Sequence, residues 1–262
     1  HAGECLSMGA YSHLARYYRD LFPVSEALAE FLRPFIERAR QAAGAWLDVG
    51  CGAGALLGHL RAEGVDAFGM DPEPAFAREA AQAAGGESRV RQGGMLDLDS
   101  QWGAKKFLVI TCLGNTLAHT RHENELERFF SQAARRLEPE GVLITQTVNF
   151  DAALAPPRWE FPLLRRRAGD GTELVFERRN EFLPPGEDAA APRRLLFHTR
   201  LSAGDQTKED QTPLIAWTCE RQRRAAAAAG FERIAEFGDF RAAPWAPNSP
   251  ATILVCSRRL PG

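Results

Sequence analysis

Residues 47–54 read Leu-Asp-Val-Gly-Cys-Gly-Ala-Gly, and an acidic residue, Asp71, follows roughly twenty positions after the glycines. Ahead of them Ala45–Val49 is a short apolar run bounded by small residues, which suits a buried parallel strand. Behind them Ala55–Ala62 carries Leu56, Leu57 and Leu60 at the spacing of a helix packed on a sheet. Gly50, Gly52 and Gly54 therefore fall in a strand-to-helix turn, where the missing Cβ permits positive φ and lets a ligand approach the backbone. A second strand over residues 66–70 leads to Asp71, whose carboxylate can accept hydrogen bonds from both hydroxyls of a ribose. A short connection then continues through Pro72. Together these features fit an adenosine-bearing cofactor held on an α/β sheet.

The patterning of the rest of the chain agrees with that class. At 262 residues and 45% hydrophobic content the chain can bury a full α/β core, and one domain with a sizeable insertion is expected. Ser25 stands where it can cap a helix through Leu28, Phe31, Leu32, Phe35, Ile36 and Ala39, in which Pro34 predicts a kink or two shorter helices. Third and fourth strands are expected over 89–92 and Phe107–Cys112. A helix over 124–137 is expected to stop at Glu138-Pro139-Glu140-Gly141, before a fifth strand over 142–148. Strands alternating with helices imply a parallel sheet with right-handed crossovers.

The segments 172–182, 193–201 and 213–218 are β-rich and read as an antiparallel flap inserted after the fifth strand. A helix over 219–229 with Gly230 just beyond it, and strands over 232–240 and 252–257, complete the core. The chain divides accordingly into an N-terminal helical cap (1–44), a cofactor-binding core (45–150), an antiparallel substrate flap (151–218) and a completion of the core sheet (219–262). Residues 1–7 read as a vector remnant or a leader.

Gly50, Gly52 and Ala55 also satisfy the looser pattern G-x-G-x-x-G/A of nicotinamide dinucleotide sites, so the glycines alone do not decide the cofactor. The turn as a whole, G-x-G-x-G with Asp48 two residues before its first glycine, resembles motif I of class I S-adenosylmethionine-dependent methyltransferases. The helical lead before the first strand and the closing strand pair are similar to that family too. The resemblance implies a Rossmann-like, mostly parallel seven-stranded sheet ordered 3-2-1-4-5-7-6 with helices on both faces. It also implies S-adenosyl-L-methionine as cofactor and S-adenosyl-L-homocysteine as product.

Two later strings, Cys112-Leu-Gly-Asn-Thr-Leu-Ala-His119 and Asn149-Phe150-Asp151, together with Gly238-Asp-Phe-Arg241, look like the glycine N-methyltransferase branch. In that branch an arginine that grips the substrate carboxylate precedes the Asn-Phe/Tyr-Asp string. Val148 stands there in this chain, which speaks against glycine as the acceptor. The lead Tyr11-Ser-His-Leu-Ala-Arg-Tyr-Tyr18 resembles that of bacterial small-molecule methyltransferases, where a tyrosine reaches the methyl-donor end of the cofactor, making Tyr17 and Tyr18 candidates. The resemblance assigns the cofactor site to Tyr18, Asp48, Gly50, Cys51, Gly52, Gly54, Asp71, Pro72, Gly94, Met95, Leu113 and Asn115. Cys51 is read as a small packing residue that offers its N–H. After the third strand either Asp97 reaches the adenine amine or Met95 packs on the ring, the second being favoured. His119 and Tyr18 are the candidate catalytic residues if a general base is needed, a structural role for His119 being equally consistent.

Net charge of −2 gives no electrostatic footprint for nucleic acid, so a small-molecule methyl acceptor is expected, modified at nitrogen or oxygen by in-line displacement. The Asn/Asp-Pro-Pro-aromatic string of base-amine methyltransferases is replaced by Leu113-Gly-Asn-Thr, with Ala155-Pro156-Pro157 lying later. Arginine runs in the second half read as solvated faces, with a phosphate- or carboxylate-bearing substrate as the alternative. Trp159, Phe161, Trp217 and Trp245 are candidates for an aromatic pocket, although one or two belong to the core. Five scattered cysteines without C-x-x-C spacing point to a reducing cytoplasm and no zinc, and no metal is assigned. No stretch reaches the length of a membrane span. A non-catalytic cofactor-binding sensor or partner subunit remains the reading from another class, and the sequence leaves the acceptor and the oligomeric state open.

Overall fold

The computed structural model describes residues 15–153, 158–186, 188 and 191–258. Residues 1–7 with Cys5, Tyr11, His13 and Ala155-Pro156-Pro157 lie outside the described residues.

The central sheet has seven strands in the order β3-β2-β1-β4-β5-β12-β11. These are β1 (Ala45–Val49), β2 (Asp66–Asp71), β3 (Val90–Gln92), β4 (Phe107–Cys112), β5 (Leu137–Val148), β11 (Arg233–Phe237) and β12 (Ala251–Ser257). β1 through β5 pair in parallel, while β12 runs antiparallel to β5 and β11 antiparallel to β12. This is the expected order, with the two closing strands exchanged in space relative to sequence. Every residue of β4 is buried, as the middle of a sheet covered on both faces requires.

Helices α2 (Glu26–Gln41), α3 (Ala55–Ala62) and α4 (Pro74–Ala84), together with the short α1 (Tyr18–Leu21), come first in the chain. α5 (Leu98–Trp102), α6 (Glu123–Arg136), α7 (Phe150–Ala153) and α8 (Cys219–Ala228) follow. Leu32, Ile36 and Ala39 of α2, with the leucines of α3 and the alanines of α4, pack on one face against Trp46, Val109, Ile144 and Ile253. Phe129, Phe130 and Ala133 of α6, Trp102 of α5 and Ala225 and Ala226 of α8 pack on the other, against Leu47, Ile110, Leu143 and Leu254.

Two expectations about the core change. α2 runs unbroken through Pro34: Ser25 caps it by accepting from Leu28 N at 3.2 Å, and the apolar stripe binds it to the sheet. Pro34 itself is exposed, so the hydrogen bond it cannot make is lost on the solvent side. Glu138-Pro139-Glu140-Gly141 is not a loop but an irregularity inside β5, across which pairing jumps from Phe107↔Leu137 to Val109↔Val142.

The flap is a five-stranded sheet, one hydrogen-bonded path β10-β9-β8-β6 with β7 also paired to β8. β6 (Arg158–Glu160) and β7 (Leu164–Arg167) were not foreseen, since three residues and an arginine run carry no alternation. β8 (Glu173–Phe182) and β9 (Arg193–Ala203) stand where expected. β10 (Gln206–Ala216) begins earlier than expected, across a polar stretch, because the tight Gly204-Asp205 turn sets its register against β9.

Two apolar contacts seat the flap. Leu174, Phe176 and Leu201 pack with Leu21, Ala53, Phe76 and Tyr18 beside the glycine turn. Phe182, Leu195, Leu214 and Ala216 pack with Ala118 and Phe150 beyond the end of β4. Trp217 is fully buried with its indole N–H donated to Thr120 Oγ1 at 2.7 Å, and Trp245 donates to Thr252 Oγ1 at 3.1 Å, so both serve the core and not a flap pocket. Among the described residues no helix is long and apolar enough to cross a membrane.

Candidate functional site

The carboxyl ends of β1, β2 and β4 converge on the glycine turn. Gly50, Gly52 and Gly54 all take positive φ, at 73°, 52° and 81°. The close approach they allow is made first by protein atoms. A Cβ on Gly50 would stand 2.6 Å from the Thr116 side chain, one on Gly52 2.8 Å from the Tyr18 ring, and one on Gly54 2.7 Å from Ala80 Cα. Tyr18 is further fixed by Phe22 and Phe76, with ring centroids at 4.9 and 4.6 Å, so the tyrosine of the N-terminal lead does lie on the turn.

The turn's own N–H groups are partly committed. Gly50 N and Cys51 N donate to Met70 O at 2.8 and 3.1 Å. Cys51 therefore packs as expected but does not offer its N–H to the cleft. Burial, with Asp71 and Asp48 close by, pushes its thiol far above the ordinary range, and it stays protonated.

Asp71 is buried at the end of β2. Its two oxygens accept from Gly52 N at 2.9 Å and Glu73 N at 3.0 Å. Desolvation raises its pKa to about 6 against the lowering effect of those two hydrogen bonds. Each oxygen keeps a second lone pair, enough for one more donor apiece. Pro72, next in the chain, is exposed.

Asp48 is buried too, and accepts from Thr111 Oγ1 at 2.7 Å, while Trp46 Nε1 donates to the same hydroxyl at 3.1 Å. Thr111 pairs with Asp48 in the β1–β4 register, a partnership that only strand pairing reveals. Burial raises the Asp48 carboxyl to about 7 in spite of the Thr111 hydrogen bond, and Asp71 adds to the rise.

An acid whose folded pKa exceeds its unfolded one adds stability below the unfolded value and loses it as pH climbs through the folded one. Relative to an Asp48→Asn variant, the wild type is therefore expected to lose on the order of 3 kcal/mol between about pH 5 and pH 8. Urea unfolding of both proteins at the two pH values checks this, and a constant gap between them would mean that the carboxyl is not desolvated.

Beyond β4, Asn115 has φ of 71°, its Oδ1 accepts from Val148 N at 3.2 Å, and Gly114 N donates to Gln146 Oε1 at 2.8 Å. These bonds staple the loop to the end of β5. The half-buried Leu113 accepts through its carbonyl from Thr116 Oγ1 at 2.7 Å. Thr116 and Gln146 escaped the sequence reading, because a threonine after Asn and a glutamine in a strand carry no signal without the register.

His119 ends a 3-10 turn over Thr116–His119. His119 is exposed, and desolvation rather than a neighbouring charge lowers its pKa to about 4. It is neutral at pH 7. After β3, Gly94 N donates to Asp97 Oδ2 at 2.9 Å, so this aspartate caps its own turn, and the half-buried Met95 packs on the core beside it.

The string Asn149-Phe150-Asp151 is structural. Asn149 Nδ2 donates to the carbonyls of Pro247 and Ser249, both at 3.0 Å, Phe150 is buried, and Asp151 Oδ2 accepts from Cys219 N at 2.8 Å at the start of α8.

Comparison with known proteins adds the following. Residues 17–179 match the family described as a methyltransferase domain. The dTDP-4-amino-2,3,4,6-tetradeoxy-D-glucose N,N-dimethyltransferase of Saccharopolyspora spinosa is 37% identical over 100 residues, 38% of this chain. The match spans only 39% of that protein's length. Among solved structures, the CcbJ methyltransferase of Streptomyces caelestis superposes with a TM-score of 0.71 at 20% identity, covering 96% of this chain and 99% of that one. The sugar N-methyltransferase KedS8 of Streptoalloteichus does so with a TM-score of 0.67 at 24% identity, covering 99% and 96%. These structural likenesses show a shared fold.

Proposed function

Because the chain belongs to the methyltransferase-domain family, we propose that it binds S-adenosyl-L-methionine at the glycine turn and methylates a nitrogen of a small-molecule acceptor. One observation carries the cofactor reading: the Asp71 carboxylate is bonded to the Gly52 amide, so the acid at the end of β2 and the glycines after β1 form a single preorganised unit. The residues present fit the cofactor. Asp71 retains acceptor capacity for a ribose diol. Asp48 offers a carboxylate near the turn that ionises within reach of neutral pH, and Tyr18 supplies a ring and hydroxyl beside Gly52. When bound, the cofactor supplies an activated methyl group on a sulfonium and leaves as S-adenosyl-L-homocysteine.

The chain's part in the reaction is then alignment and desolvation of the acceptor. With a pKa of about 4, His119 is far too weak a base to deprotonate an ammonium, whose own pKa is roughly 10. Its neutral imidazole instead orients the acceptor as a hydrogen-bonding group, and the acceptor ammonium loses a proton to water before transfer, so that a neutral nitrogen lone pair attacks the methyl. Nitrogen is favoured over oxygen by the partial likeness to a sugar N,N-dimethyltransferase. A sugar amine is favoured over glycine by Val148 and by the structural use of Asn149 and Asp151.

Incubation with methyl-labelled S-adenosyl-L-methionine and a panel of sugar amines, free amino acids, phenols and carboxylates tests this. Label is expected on an amine and not on a phenol. Tight donor binding with no transfer to any acceptor would instead indicate a non-catalytic binder.

A further inference from the structure

Trp46 and Asp48 lie two residues apart on β1, so their side chains share one face of the sheet. On β4 the parallel register sets Val109 opposite Trp46 and Thr111 opposite Asp48. On β2 the residue opposite Asp48 is Gly69, where Leu57 Cδ1 and Cys51 Sγ stand 2.6 and 2.9 Å from the place a Cβ would take. Of the two neighbouring strands, only β4 can therefore offer Asp48 a side-chain donor at its own level. Asp71, two residues beyond Gly69, faces the same side of the sheet.

A directed chain of hydrogen bonds follows from that placement. Trp46 Nε1 donates to Thr111 Oγ1 at 3.1 Å, and Thr111 Oγ1 donates to Asp48 Oδ1 at 2.7 Å, with Trp46 and Thr111 fully buried. An indole nitrogen can only donate, so it occupies a lone pair of the hydroxyl. The single hydroxyl proton then has the Asp48 oxygen at 2.7 Å or the Leu47 carbonyl at 3.4 Å, and the shorter bond goes to the carboxylate. The chain therefore favours the ionised acid. Around it, Asp71 of β2 is the neighbouring charge, and Cys51 of the turn and Cys112 of β4 are thiols that burial keeps protonated. Helices α2, α3 and α4 present apolar side chains to this face. No cation bears on Asp48 among the described residues.

A buried carboxylate with one hydrogen bond and no cation is costly in the free protein, and a positive group on a ligand completes it. We infer that Thr111 is a positioning residue for donor binding: the Trp46 indole holds its hydroxyl, and the hydroxyl presents Asp48 as the carboxylate that meets a positive charge of the donor. This assignment rests on the methyltransferase reading. S-adenosyl-L-methionine carries a sulfonium and an ammonium, S-adenosyl-L-homocysteine keeps only the ammonium, and 5′-methylthioadenosine has neither. The three ligands therefore separate the charges.

The test is calorimetry of these ligands on the full chain between about pH 6 and about pH 7.5, across which an acid at about 7 passes from mostly protonated to mostly ionised. S-adenosyl-L-methionine is expected to bind about eightfold more tightly at the upper end, while 5′-methylthioadenosine, which follows Asp71 alone at about 6, gains about twofold at most. A gain shared by S-adenosyl-L-homocysteine assigns the charge to the ammonium, and one confined to S-adenosyl-L-methionine assigns it to the sulfonium; either supports the assignment. Thr111→Val keeps the shape of the side chain and removes the hydroxyl. It is expected to move the S-adenosyl-L-methionine midpoint up by about one pH unit or more and to weaken binding at neutral pH about fivefold or more, with 5′-methylthioadenosine unchanged. Thr111→Ser restores the hydroxyl and is expected to stay within about twofold of the wild type. A threonine of merely structural use would weaken every ligand alike and leave the midpoint in place, which overturns the assignment.

Carbon-13 NMR of the Asp48 carboxyl in the wild type, identified by its loss in Asp48→Asn, keeps the test usable if the valine variant does not fold. S-adenosyl-L-methionine is expected to lower the titration midpoint of that signal by about one pH unit or more, and an unmoved midpoint overturns the assignment. Absence of binding by all three ligands at every pH would overturn the methyltransferase reading together with this assignment. Binding with equal pH dependence in wild type and Thr111→Val overturns the assignment alone.

Discussion

Asp71→Ala is expected to lower the affinity for S-adenosyl-L-methionine by on the order of a hundredfold while costing comparatively little stability. The two ribose hydroxyls would each lose a hydrogen bond to a charged acceptor, at roughly 1.5–3 kcal/mol per bond. On the stability side two effects oppose each other. Alanine leaves the buried Gly52 and Glu73 amides without their acceptor, about 1–3 kcal/mol for each. It also removes a carboxylate whose burial has already raised its pKa to about 6, which relieves roughly 3 kcal/mol at neutral pH. A net loss near 1 kcal/mol remains on that arithmetic. Asp71→Asn should separate the roles: its single oxygen can serve one of the two amides, but its NH₂ confronts the other. Calorimetry of donor binding and thermal melting of the same samples read the two quantities apart. Donor affinity equal to wild type in the alanine variant would remove Asp71 from the site.

The second large effect is expected at Gly54. An added Cβ enters a backbone with φ of 81° and meets Ala80 Cα at 2.7 Å, an atom of the α4 main chain that cannot rotate away. The left-handed conformation costs about 1–2 kcal/mol for a residue with a Cβ. Overpacking between α3 and α4 costs about 1–3 kcal/mol more. Gly54→Ala should therefore destabilise by about 2–5 kcal/mol and abolish donor binding, because the turn is displaced with the helix. Gly58 is the control within the same helix. Its Cβ would lie 3.8 Å from Ala83 Cβ, an ordinary contact, so alanine there is expected to stabilise by about 0.5–1 kcal/mol. If both variants melt alike, the close packing of the turn on α4 is not what holds it.

Glycine turn, strand run and Asp71 were readable in order because each is a local consequence of chain chemistry. Positive φ selects glycine, full burial selects a continuous apolar run, and the crossover length fixes the distance to the next strand end. The flap was readable where hydrophobic and polar residues alternate, as in β8 and β9. It was not readable in β7, whose exposed arginines are compatible with an edge strand or a loop. Two shorter helices at Pro34 were not what formed, because a local rule gave way to tertiary burial: the stripe of Leu32, Ile36 and Ala39 on the sheet holds α2 as one helix through the proline.

What the sequence by itself determined, then, is a sheet of given class, a turn built for close approach, and an acid set to face it. The partners were decided only by tertiary structure. Thr111 meets Asp48 because β1 and β4 pair in one register, and Tyr18 meets Gly52 because α1 lies over the turn. Arg178 meets the Phe22 ring because the flap packs against the segment that follows α1. Such meetings join residues far apart along the chain, and no local pattern encodes them, because they exist only once the hydrophobic faces have fixed how the layers dock.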